Sequence, residues 1–128
     1  MRRFLFTLAI PLVVLLGGCS KAQPPLAGGK PVAHWVEALQ SPDAKARKRA
    51  AFKLGNVGPA DPAALPALIG ALKDRDAGVR QEAILALLKC GPAAREAIPA
   101  LSDLQKSAPD AQTRTYAAKA LANLQSSP

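Results

Sequence analysis

With 128 residues, 17 of them basic and 9 acidic, the chain has room for one domain and a formal net charge of +8. Aromatics are only 4% of it, which argues against a bulky aromatic core and leaves none of the stacking platforms that bind single-stranded nucleic acid. The basic excess favours acidic partners but says nothing of the fold.

The first segment has the layout of a secretory leader: Arg2-Arg3, an apolar run from Phe4 to Leu16, then small residues up to Cys19. The run is too short to span a bilayer, which takes about 20 apolar residues. Leu16-Gly17-Gly18-Cys19 resembles the lipobox of bacterial lipoproteins. That resemblance implies removal of residues 1–18 and diacylation of Cys19. With Ser20 rather than Asp next, it also implies the outer membrane as destination where the organism has one. The alternative is ordinary signal cleavage with Cys19 incidental. Two acyl chains, at about 0.8 kcal/mol per buried CH₂, hold a soluble domain on a membrane without a spanning helix. Seventeen basic residues less Arg2 and Arg3 leave 15 against 9 acidic, a net charge of +6. From Cys19 to Lys30 the chain is rich in Pro and Gly and lacks apolar periodicity, so a flexible tether is expected there.

A helical body is expected over 31–128. Pro31 suits the opening of a first helix that carries Val32, Trp35, Val36 and Leu39 on one face. Asp43 is placed to cap a second helix, about Ala44 to Val57, with an apolar face of Ala46, Ala50, Leu54 and Val57. Leu65, Leu68, Ile69 and Leu72 form the next apolar face. Pro66 there requires either a turn before it or a bend, because a proline deep in a helix costs about 3 kcal/mol; the same holds at Pro99. Asp76 caps a helix with the stripe Val79, Ala83, Ala86, Leu87 and Cys90, closed by Gly91-Pro92. The last pair covers about Pro99–Lys106 and Ala111–Gln125. Tyr116, Lys119, Asn123 and Gln125 make its final helix polar enough to end a stack.

These hairpins are copies of one unit. Asp43, Asp76 and Asp110 are spaced by 33 and 34 residues, and Arg47, Arg80 and Arg114 keep the offset, as do Ala50, Ala83, Ala117 and Leu54, Leu87, Leu121. The third copy has one extra residue within Ser107–Pro109 and no Gly-Pro close. A period of this length marks stacked helical repeats, which bury their stripes against one another. The stretch Pro66 to Arg80, with the Gly-Pro pairs at 58–59 and 91–92, resembles HEAT repeats of the short bacterial kind also found in phycobilisome-lyase-like proteins. The resemblance covers about 31–125 and implies an all-α fold, an α-solenoid of about three helix hairpins. It also implies a ladder between repeats for Asp43, Arg47, Asp76, Arg80, Asp110 and Arg114. Each Asp would cap its helix, and each Arg would bridge its own Asp at i+4 and the Asp of the following turn.

Lys45, Arg47, Lys48, Arg49 and Lys53 make a basic cluster on one helix: a solvated face, or a docking surface for an anionic partner. Phe52, Leu85 and Leu88 lie off the main stripes. Cover by neighbouring repeats is the expectation for them, an exposed apolar strip the alternative. Cys90 occupies an apolar slot as a small hydrophobe, and His34 has no ligand-spaced companions that would make a metal site. The function expected is that of a non-catalytic, membrane-anchored scaffold or adaptor of the bacterial cell envelope. It would have no cofactor and no nucleic-acid partner, and would capture an unidentified protein through Lys45, Lys48, Arg49 and Phe52. Two alternatives stand beside it: a small-molecule or lyase-like protein with His34 or Cys90 exposed in a pocket, and a binder of anionic envelope lipid or polymer.

Overall fold

A computed structural model describes residues 26–128; Cys19 and the leader before it lie outside the described residues. The first element is a small antiparallel hairpin, β1 (Leu26–Ala27) and β2 (Lys30–Pro31), turned by Gly28-Gly29, both at positive φ. Six helices follow: α1 (Val32–Ala38), α2 (Ala44–Val57), α3 (Ala64–Ala71), α4 (Ala77–Cys90), α5 (Ile98–Ser107) and α6 (Ala111–Ser126). Short 3₁₀ segments, Gly58–Ala60 and Gly91–Ala97, lead from α2 to α3 and from α4 to α5. Helices pair as α1–α2, α3–α4 and α5–α6, and the second helices of the pairs stack in a row, α2 on α4 and α4 on α6. The all-α stack of three hairpins is therefore as the sequence offsets predict.

The three stacked helices start alike. Asp43, Asp76 and Asp110 are extended N-cap residues whose carboxylates accept from the backbone N–H of Lys45, Val79 and Thr113 at 3.1, 3.0 and 2.8 Å, each satisfying one of the donors that open a helix. α2 and α4 stop at Gly58 and Gly91, whose φ of 56° and 60° is the left-handed conformation other residues resist. Pro66 and Pro99 fall in the first turns of α3 and α5, where a backbone N–H has no intrahelical partner, so neither helix bends.

The core runs along the stack. Leu54, Leu68, Leu72, Ile84, Leu87, Leu101 and Leu124 are fully buried, each worth roughly 1.5–3 kcal/mol of apolar transfer. Small residues let the helices close up: a Cβ added to Gly55 would lie 2.7 Å from Ala86 Cβ and 2.9 Å from its Cα, so α2 and α4 meet there backbone to backbone.

Two sequence expectations change. The structureless stretch does not extend to Lys30, because Leu26–Pro31 forms the hairpin and is tied to the body: Ala27 is buried, and its carbonyl accepts from Trp35 Nε1 at 2.7 Å. The extra residue of the third copy is absorbed by α5, which has ten residues where α3 has eight. The link to α6 is correspondingly short, Ala108–Asp110.

Candidate partner-binding face

Two sets of charged residues sit on the stacked helices, and they do different things. The first lies at the helix starts. Arg47, Arg80 and Arg114 each turn Nη1 back onto two carbonyls of the loop before their own helix: Ser41 and Pro42, Asp74 and Arg75, Ala108 and Pro109. The rest of the Arg47 and Arg80 guanidiniums faces the next repeat. Arg47 Nε and Nη2 grip Asp74 Oδ2 and Oδ1 at 2.8 and 3.1 Å, a bidentate pair with both side chains largely buried. Arg80 Nη2 reaches Asp110 Oδ1 at 2.6 Å, while Arg80 Nε is buried with no partner.

The expected bridges from each Arg to its own Asp are not present among the described residues. The loop carbonyls take the Nη1 hydrogens, and the remaining nitrogens of Arg47 and Arg80 turn to acids of the next repeat. Arg47 also does not pair with Asp76 of the next repeat but with Asp74, two residues earlier. The repeat offsets do not mark Asp74, because its counterparts are Ser41 and Ala108. The Asp74 carboxyl is pushed up by burial, yet the hydrogen bond from Arg47, the Asp76 N–H and the charges of Arg47 and Arg75 together hold it below the usual carboxylate range. Hydrogen bonds from Thr113 and Arg80 hold Asp110 far below it.

The second set lies along the outer faces of α2 and α4. Lys45, Lys48 and Arg49 are exposed, and Phe52 is 43% exposed. Arg47 leaves the predicted basic cluster: at 5% exposure it belongs to the buried pair with Asp74. Lys53 is half-buried, and its ammonium lies against Gly28 of the hairpin. Leu85, at the position of Phe52 on the next helix, is 40% exposed, while Leu88 is partly buried against the core. Cover by neighbouring repeats, expected for all three apolar residues, therefore holds only for Leu88, because no helix packs over the outer side of α2 and α4 among the described residues.

A residue that the cluster of α2 alone did not reveal joins this face. Lys89, the counterpart of Asn56, donates Nζ to Asn56 Oδ1 at 3.2 Å and sits 4.4 Å from the centroid of the Phe52 ring. The signal was present in the offset of 33 that links the two positions.

Cys90 is buried, its thiol donates to the Ala86 carbonyl at 3.3 Å, and burial pushes its pKa up. His34 is half-buried, edge-on to Trp35 at 4.9 Å and 3.4 Å from Lys30 Nζ. No group of three His, Cys, Asp or Glu side chains converges among the described residues, and none of the described helices is long and apolar enough to cross a membrane.

A family model of HEAT repeats matches residues 32–122. No curated protein matches the chain.

Proposed function

The chain belongs to the HEAT-repeat family, and on that premise we propose that it is a non-catalytic scaffold or adaptor that captures a protein partner on the outer face of α2 and α4. HEAT repeats generally mediate protein interaction, and a stack of rigid hairpins holds side chains in a fixed array. The observation that carries the reading is the exposure of Phe52 and Leu85 side by side in register, ringed by Lys48, Arg49 and Lys89, on helices whose opposite sides are fully packed. Lys45, Lys48, Arg49 and Phe52 are the binding residues proposed from the sequence; Leu85 and Lys89 join them.

The proposal places this module on a membrane of the bacterial envelope, the outer membrane where one exists, through acylated Cys19. The support is the lipobox-like Leu16–Cys19 behind a basic start and an apolar run. The buried thiol of Cys90 speaks against a lyase-like reading that needs it exposed. The test is capture of partners from envelope extracts by the tagged protein. Lys48→Glu/Arg49→Glu and Phe52→Ser should each reduce capture; undiminished capture by both removes the site. Cys19→Ser should release the protein from the membrane fraction, and retention there would remove the anchor.

A further inference from the structure

Resting on the face just described, we infer that its partner is an acidic segment carrying an apolar anchor, an amphipathic stretch that lays Leu- or Phe-type side chains over Phe52 and Leu85 and Asp or Glu side chains onto the surrounding cations. Along α2 and α4 the cations not buried in the ladder are Lys45, Lys48, Arg49, Lys53 and Lys89, and the one acid is Glu82. That excess repels a second copy of this chain and selects an anionic partner. Phe52 and Leu85 stand at matching positions of neighbouring helices, one helix spacing of about 8–10 Å apart, a separation that anchors two helical turns apart, about 11 Å, can cover.

The cations are already arranged. Lys89 is held by Asn56 and by the Phe52 ring, 3.2 and 4.4 Å away. The Lys48 stem lies within van der Waals reach of Gly78 on α4: a Cβ there would meet Lys48 Cδ at 3.9 Å. Lys53 is laid against Gly28. Side chains fixed before binding lose less freedom when a partner arrives, so carboxylates meet an array rather than a cloud of mobile charges. An anionic bilayer would use the charges but has little use for two apolar side chains that are less than half exposed, one of them carrying an ammonium at its ring. A short acidic peptide with an apolar anchor uses both.

The test is fluorescence anisotropy of labelled peptides on the full chain: an acidic amphipathic helix with leucine anchors, the same peptide with its leucines changed to serine, and a version with lysine in place of each acid. Vesicles of phosphatidylcholine with and without phosphatidylglycerol serve as the lipid probe. The acidic amphipathic peptide should bind, the leucine-free peptide about tenfold more weakly, and the lysine version not at all. Phe52→Ser/Leu85→Ser and Lys48→Glu/Lys89→Glu should each weaken binding about tenfold with the helical circular dichroism unchanged. Binding should fall steeply with added salt.

Equal binding of the acidic and leucine-free peptides, together with sedimentation on anionic vesicles, would overturn the inference in favour of a lipid surface. Equal binding of the acidic and lysine versions would overturn it while leaving the face as a partner site. Capture from envelope extracts that survives both double variants would remove the partner site itself.

Discussion

The two junctions of the stack use equivalent arginines unequally. Between the first and second repeats, two acids divide the work: Asp74 takes the Arg47 fork and Asp76 caps α4. Between the second and third, Asp110 does both, capping α6 and pairing with Arg80 through a single nitrogen. The cause lies in the sequence. The counterpart of Asp74 is Ala108, in a link shortened by the longer α5, and Arg80 Nε is left buried without an acceptor. One family position can thus be filled by two different hydrogen-bonding solutions, and the residue two places before the capping Asp decides which.

The largest effect is expected at the helix seam of the first junction. Gly55→Leu copies the residue found at the equivalent Leu88, but the Ala86 backbone occupies the space, so thermal unfolding should show a loss of about 3 kcal/mol or more. Leucine at the exposed counterpart Ala122 should be neutral to within about 0.5 kcal/mol. Equal tolerance at both positions would mean that the close approach of α2 to α4 does not exist.

Next comes Asp74→Ala, which strands the buried Arg47 charge and should cost about 3 kcal/mol by chemical denaturation. Asp76→Ala, which removes only a cap, should cost about 1 kcal/mol.

The comparison sharpens with Ala108→Asp. A cleft of about 290 Å³ lies beside Arg80 and Ala108, with room for a carboxylate that offers Arg80 Nε its missing acceptor. The variant should gain about 1 kcal/mol. In that background Asp110→Ala should cost less than it does in the native chain, a coupling that a double-mutant cycle reads directly. Additive effects would show that the two acids do not share Arg80.

The smallest effect is on pH dependence. Asp74 and Asp110 are both held below the ordinary carboxylate value, Asp110 by more. A depressed pKa stabilises the fold fully above the unfolded value, about 3.9, and the contribution is lost as pH falls through the folded value. Melting temperature should therefore be flat near neutral pH and decline on the acid side. Asp110→Asn should flatten that decline more than Asp74→Asn; the reverse order would contradict the assigned pairings.

The hairpin stack was legible because caps and buried alanines recur at offsets of 33 and 34 residues, with closing glycines in the first two copies, and a repeat carries its own control. What was not legible depended on partners outside the pattern. Asp74 lacks acidic counterparts, so the offsets passed over it. Arg47 reads as one more cation beside Lys48 until burial separates them. Phe52 and Leu85 could have been covered or open, and only the arrangement of neighbouring helices decides. The hairpin at Leu26–Pro31 has two-residue strands, too short to show alternation, and its anchoring depends on a side-chain to backbone bond that no period reports.

That bond gives the molecule an internal optical gauge. Trp35 is the sole tryptophan, and its indole N–H is engaged only while the hairpin is seated. Lifting the amino-terminal end away would wet the ring and shift its emission to the red. Tension applied from that end could then be followed in unlabelled protein, separately from melting of the repeats behind it.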